Sequence, residues 1–427
     1  MKKFLAMLLA LVMALSLVAC GEKDQPDNNG GSDGDQQTAT VMVGFITLHD
    51  ENSTYDKNFI DAAKAACATL GLVENENYFI KTNVGENEQC AEVAADLVDA
   101  GCNIIFADSF GHEPYMIEVA KEHPEVQFCH STGTRAHTEG LANYHNAFAS
   151  IYEGRYLAGI AAGMKLNAMI EAGDIKAEEA KMGYVGAYTY AEVVSGYTSF
   201  FLGARSVCPT VTMDVTFTGS WYDETLEKEG AEKLIQGGCK LISQHADSLG
   251  APTACENAGV PNVSYNGSTK DACPNTFIVS SRIDWAPYYE MCIKAVMDGT
   301  EIPADWTGTL KTGSVVLTDV NEAVAAAGTA DAIKEATAKL EAGEIHVFDC
   351  STFTTKADDT MNAFKVDYLK VDADGHITSY MADVDTDQAY TGDTEVVHDG
   401  YFAESEKRSA PYFDLEIDGI TRLDTKM

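Results

Sequence analysis

From residue 41 the chain alternates short apolar runs with longer amphipathic stretches. The runs at 41–46, 78–82, 103–107 and 126–130 are too continuously apolar to have one wet face, so they predict strands covered on both sides. The stretches at 57–70, 87–100 and 113–122 between them repeat apolar positions at helical spacing. A helix of small residues at 151–164 and a charged insert ending at 181 interrupt the pattern, and then it restarts. Strands are predicted at 182–186, 211–217, 240–244 and 262–265, with helices at 191–207, 223–237 and 249–258. Strand and helix alternating at this spacing imply a parallel sheet flanked by helices, here built twice. The fold class is therefore α/β with two lobes. A further helix at 285–298 returns to the first lobe, so that the hinge is crossed three times. On this reading the first lobe comprises 41–146 and 281–311, and the second comprises 147–280 and 312–427. The last hundred or so residues, rich in Thr, Asp and Tyr, predict strands, a helix at 331–342 and acidic loops that wrap the second lobe as a C-terminal extension.

The N-terminal pattern is different. Lys2 and Lys3 precede an apolar run at 4–18, followed by Ala19-Cys20. A basic start, an apolar core and a small-residue site ending on cysteine predict a bacterial lipoprotein signal over 1–19, with an uncleaved anchor as the alternative. Cleavage would free the Cys20 thiol for a lipid. Residues 21–39 hold no large apolar side chain, so 20–40 reads as the lipidated cysteine and a flexible tether.

Composition narrows the partners. The chain has 427 residues, 45% of them hydrophobic, with 29 basic against 66 acidic side chains and a net charge of −37. That length and mixture exclude a disordered tail or a fibre and suffice for two cores. So anionic a surface repels nucleic acid and acidic headgroups, which leaves the lipid on Cys20 as the link to a membrane. Cys20 apart, the cysteine count is even, as disulfides require, but no Cys-x-x-Cys occurs and Cys67 and Cys129 sit in apolar runs. Buried free thiols are the simpler reading, with Cys255 and Cys273 a weak disulfide candidate.

Catalytic and cofactor motifs are missing. The sequence contains no Gly-x-Ser-x-Gly, His-Glu-x-x-His, Walker loop or Gly-x-Gly-x-x-Gly. Gly267-Ser268-Thr269-Lys270 lacks the leading glycine of a phosphate loop and reads as a turn. Asp383, Asp385 and Asp387 have calcium-loop spacing, but Gln388 replaces the glycine and Thr394 the bidentate glutamate, so a solvated acidic loop is expected. Neither a cofactor nor a catalytic residue is predicted.

Ligands of open parallel sheets bind beyond the carboxyl ends of the strands. In the first lobe those ends carry His49, Tyr55, Asp56 and Phe59, then Asp108, Ser109 and Phe110, then His130, Ser131 and Thr132. In the second they carry Tyr188, Tyr190 and Glu192, then Trp221, Tyr222 and Asp223, then His245, Asp247 and Ser248, then Asn266, with Arg282 and Trp285 at the return crossing. Rings stack on the faces of a flat, neutral heterocycle, while carboxylates and amides take its edge. One cation, Arg282, is too few for a phosphate or dicarboxylate. A sugar ring also suits this lining. Tyr55, Phe59 and Phe110 read equally well as core, and Asp223 and Asp247 as helix caps.

Arg155-Tyr156-Leu157-Ala158-Gly159-Ile160-Ala161-Ala162-Gly163, Met182-Gly183-Tyr184-Val185-Gly186, Gly203-Ala204-Arg205-Ser206-Val207, Ser220-Trp221-Tyr222-Asp223 and Gln244-His245-Ala246-Asp247-Ser248 together resemble the basic membrane protein family. These are substrate-binding lipoproteins of ABC importers, similar to purine nucleoside receptors. The resemblance spans about residues 41–299 and implies a periplasmic-binding-protein type I fold, an ABC permease as partner and a monomer tied to the outer face of the cell membrane. It implies a purine base or nucleoside as ligand, stacked on Trp221 and faced by the loop of Tyr55. His130, Glu192, Asp247, and Trp285 with Tyr288 match further family positions. Asn266-Gly267-Ser268 departs from an aspartate-serine-aspartate pattern, and Arg282 stands where nucleoside receptors carry lysine. A sugar receptor of the same fold and a surface nucleoside hydrolase are the alternatives.

Overall fold

The computed structural model describes residues 41–384 and 394–426. The expected signal, Cys20 and its tether, and Asp385 and Asp387 of the calcium reading lie outside the described residues.

Strands β1 (Val43–Ile46), β2 (Tyr78–Lys81), β3 (Ile104–Ala107), β4 (Gln127–Ser131) and β5 (Tyr144–Ala149) form a parallel sheet in the order β2-β1-β3-β4-β5. The connecting helices are α1 (Thr54–Thr69), α2 (Glu88–Asp99), α3 (Glu113–Glu122) and the short α4 (Ala136–Glu139). Every residue of β1, β3 and β5 is buried, because helices cover both faces.

The second sheet repeats the plan. β6 (Lys181–Gly186), β7 (Thr212–Phe217), β8 (Leu241–Gln244), β9 (Asn262–Tyr265) and β10 (Phe277–Ile283) lie in the order β7-β6-β8-β9-β10. Its helices are α5 (Ile151–Ala172), α6 (Ala191–Val207), α7 (Glu224–Gln236) and α8 (Gly250–Ala258). The small residues of α5 have a packing cause: a Cβ added at Gly159 would come 2.0 Å from the Phe200 carbonyl oxygen, and one at Gly203 2.0 Å from that of Tyr156. Backbones this close admit only glycine. α5 runs on to Ala172 where a charged insert was expected, its later turns mostly half-buried.

The chain passes between the sheets three times. β5 leads into α5, β10 leads into α9 (Ala286–Asp298), which packs on α1, and β11 (Asp305–Gly308) at the edge of the first sheet leads to β12 (Val315–Leu317), antiparallel to β10 in the second. The expected switch at 281 falls three residues early, since β10 keeps its place in the second sheet through Ile283.

Two expected site residues are corrected here. Arg282 lies inside β10, paired in register with Val316, and its guanidinium is 3.6 Å from the Asp284 carboxylate. Trp285 is 1% exposed and stacks on Phe59 with centroids 4.6 Å apart in the core of the first lobe. A chain that has just crossed the hinge must anchor α9, and the indole serves that packing.

The extension adds α10 (Thr329–Ala342), packed on α5, then the antiparallel strands β13 (Leu369–Val371), β14 (Ile377–Ala382) and β15 (Thr394–Glu395), and the hairpin β16 (Val397–His398) with β17 (Tyr401–Phe402). It ends in β18 (Ile420–Arg422), a parallel edge strand beside β7. It reaches beyond the second lobe, because the Ser409 backbone N–H donates to Asp305 Oδ2 on β11 at 2.8 Å. The ten cysteines from Cys67 to Cys350 are buried and free, Cys255 and Cys273 among them. Among the described residues no helix is long and apolar enough to cross a membrane.

Candidate functional site

Both sheets have the doubly wound order in which neighbouring strands send their connections to opposite faces, opening a crevice at one point along the carboxyl edge. In the first lobe that point lies between β1 and β3, in the second between β6 and β8. The two crevices meet at a cavity of about 370 Å³ including its mouth. The first lobe contributes Leu48, His49, Tyr55, Asp56, Ser109, Phe110 and Thr132; the second contributes Glu192, Trp221, His245, Asp247 and Tyr265. The lobes are closed, since hydrogen bonds join them directly.

Direct bonds cross the gap. Thr54 donates its backbone N–H and its hydroxyl to the carbonyl oxygen of Asp247, at 3.0 and 3.1 Å. Asn58 Nδ2 lies 3.3 Å from Asn266 Oδ1, and Asn266 Nδ2 reaches Asp247 Oδ1 at 3.4 Å. The rings of Phe110 and Tyr190 meet from opposite lobes at 5.3 Å, as do His49 and Tyr222 at 5.4 Å.

Each wall is held from behind. Tyr55 donates its hydroxyl to the Asp108 carbonyl at 2.8 Å, which fixes its ring at the start of α1. Trp221 meets Tyr188 edge to face at 5.1 Å. Buried Arg155 donates to the Tyr184 hydroxyl at 3.1 Å; Tyr184 lies 3.1 Å from His245 Nδ1, and His245 Nε2 lies 3.3 Å from Glu192 Oε1. With the Tyr184 oxygen occupied by the guanidinium, its proton points to Nδ1. His245 then carries its own proton on Nε2 and aims it at Glu192.

The carboxyls divide into two kinds. Burial opposes ionisation of Asp56, yet bonds from His49 and Ser53 hold its pKa below the ordinary value. Burial, then the Asp56 charge, pushes Asp108 and Asp247 well above the carboxylate range. Burial also lowers His245, against the pull of Glu192. The site therefore presents both proton donors and acceptors. The buried Tyr265 hydroxyl, on the cavity wall, has no hydrogen-bond partner among the described residues.

The structure brings together Tyr55, Asp56, Phe110, Glu192, Trp221 and Asp247. Tyr190 sits just outside, in the wall of an adjoining chamber. His130 is fully buried one layer back, with Nε2 2.7 Å from the Ser109 carbonyl. Asn266 joins the lobes rather than lining the cavity. Asp223 caps α7 by accepting from the Leu226 N–H at 2.9 Å. Leu48 and Tyr265 had escaped notice, although Tyr265 is the last residue of β9, where the strand-end rule looks. Arg155 and Tyr184 had counted only as parts of longer strings.

Two facing α/β lobes closed on an aromatic cavity have the architecture of a solute-binding protein. Residues 45–347 match the family model described as Bmp, ABC transporter substrate-binding protein PnrA-like, and the chain belongs to this family. It is 32% identical over 263 residues, 61% of this chain and 70% of the other, to a purine-binding protein of Brucella abortus. It is 31% identical over 305 residues, 70% of each chain, to a Haloferax volcanii protein provisionally named an ABC transporter glucose-binding protein. Among solved structures, a solute-binding protein of Aeropyrum pernix superposes with a TM-score of 0.61 at 18% identity, over 77% of this chain and 96% of that one. One from Conexibacter woesei gives 0.59 at 20%, over 72% and 98%.

Proposed function

We propose that this protein captures a purine base or purine nucleoside outside the cytoplasm and hands it to an ABC permease, without chemical change. The observation that carries this is the cavity's makeup: Tyr55, Phe110, Trp221 and Tyr265 supply rings, Asp56, Glu192 and Asp247 supply edges, and among the described residues neither lysine nor arginine lines it. Such a site stacks a neutral planar ring, at about 1–3 kcal/mol per aromatic face, and rejects anions. Closure follows from differential binding. A ring touching both lobes stabilises the shut form, while the open form offers it only half of its contacts. The similarity to a purine-binding protein supports the same ligand class.

Calorimetry on the chain from residue 40 onward, with adenine, guanosine, inosine and ribose, tests the reading. Heat from a purine and none from ribose is expected. Binding of ribose alone would favour the sugar receptor, the reading that the similarity to a glucose-binding protein supports. Release of hypoxanthine from inosine would mark an enzyme instead. A lipid on Cys20 would hold the receptor, as a monomer, at the membrane beside its permease.

A further inference from the structure

We propose that the C-terminal extension gives this receptor a second, outer compartment, which takes a neutral and largely apolar substituent carried by the ligand's ring; the idea rests on the purine reading above. Phe110, Thr132 and Glu192 line the inner cavity and also a neighbouring chamber of about 1340 Å³ including its mouth. The inner cavity has only about 370 Å³ even counting its mouth, and the lobes are already bonded across it. A ring held there leaves little room for bulk, so a substituent has to leave past Phe110 into the chamber that shares this wall.

The chamber is walled on one side by the extension, through Thr360, Met361, Phe364 and Pro411. Phe364, on the 3₁₀ turn Ala363–Lys365, is 73% exposed, an unusual cost for a phenylalanine beside a binding cleft. A bound apolar group would cover it. The chamber's cations are already engaged: Lys365 is ion-paired with Asp414, Arg422 with Glu416, and Arg408 donates to the carbonyls of Ala410 and Pro411. A phosphate would have to displace these partners, which favours a neutral substituent.

The test compares adenine, N6-benzyladenine and 9-benzyladenine by calorimetry, in the chain from residue 40 and in its Phe364→Ala variant. One of the two benzyl compounds should bind at least about tenfold more tightly than adenine, and Phe364→Ala should bring that ratio back toward one. If adenine binds and neither benzyl group improves on it, or if Phe364→Ala leaves the ratio unchanged, the outer compartment is refuted and the purine reading survives. If neither these three compounds nor guanosine nor inosine binds, the purine reading fails and the outer compartment falls with it.

Discussion

Thr54, at the first turn of the first lobe's α1, gives two hydrogen bonds to one atom of the second lobe, the carbonyl oxygen of Asp247. The same Asp247 turns its side chain to the ligand cavity. One residue thus joins lobe closure to the site, so that whatever orders Asp247 also favours the shut form.

Trp221 lines the cavity with Tyr188 packed against it, ring centroids 5.1 Å apart. Trp221→Ala should weaken purine binding by at least about tenfold, in keeping with about 1–3 kcal/mol for a stacked base. Unchanged affinity, with an unchanged circular dichroism spectrum, would assign the indole to packing.

Asn58 does not line the cavity but bonds Asn266 across the gap at 3.3 Å. Asn58→Ala should lower affinity by roughly fivefold, the equivalent of about 1 kcal/mol for one net hydrogen bond. Small-angle scattering should find the ligand-free protein more open. Equal affinity and equal scattering would mean that this bond does not bias closure.

Burial first, then the charges of Asp56, Glu227 and Glu192, raise the Asp247 pKa above 3.8. A carboxyl raised on folding binds its proton more tightly in the native state. Its stabilising effect is complete below the unfolded value and is lost as pH climbs through the folded one. Asp247→Asn should therefore raise the melting temperature of the ligand-free protein at about pH 7 and change it little at about pH 4. Melting curves at the two pH values decide it, and equal shifts at both would reject the raised pKa.

Trp285 and Arg282 should separate by phenotype. Trp285→Ala opens a hole beside Phe59 and should cost about 3–5 kcal/mol of stability in urea titrations. Arg282→Ala, outside the cavity and paired with Asp284, should leave purine affinity within about twofold of wild type and cost under about 1 kcal/mol. A large affinity loss from Arg282→Ala would return it to the site.

Cys20→Ala should release the protein from membranes into the soluble fraction, and mass spectrometry of the unaltered protein should find diacylglycerol on Cys20. A variant that stays membrane-bound would point to an uncleaved anchor.

Much of the fold was legible in the residues because parallel strands covered on both faces are unbroken apolar runs, as Val43–Ile46 and Ile104–Ala107 are. The hinge strands were not. Tyr144–Ala149 carries His145 and Asn146, and Phe277–Ile283 carries Ser280, Ser281 and Arg282, so neither run looks apolar. Their polar groups are met by distant partners, as when His145 Nε2 meets Gln127 Oε1 at 2.8 Å. No local pattern announces such a match.

Periodicity and the order of elements therefore determined two α/β lobes, and with them the strand ends where a ligand belongs. Which of the residues at those ends line the cavity between the lobes was decided only by three-dimensional packing. Trp221 and Trp285 both follow strands, yet one lines the cavity and the other fills the core beneath α9. The difference arises because a side chain's surroundings are set by segments far away in the chain, through the contacts that closing the lobes and docking the extension create.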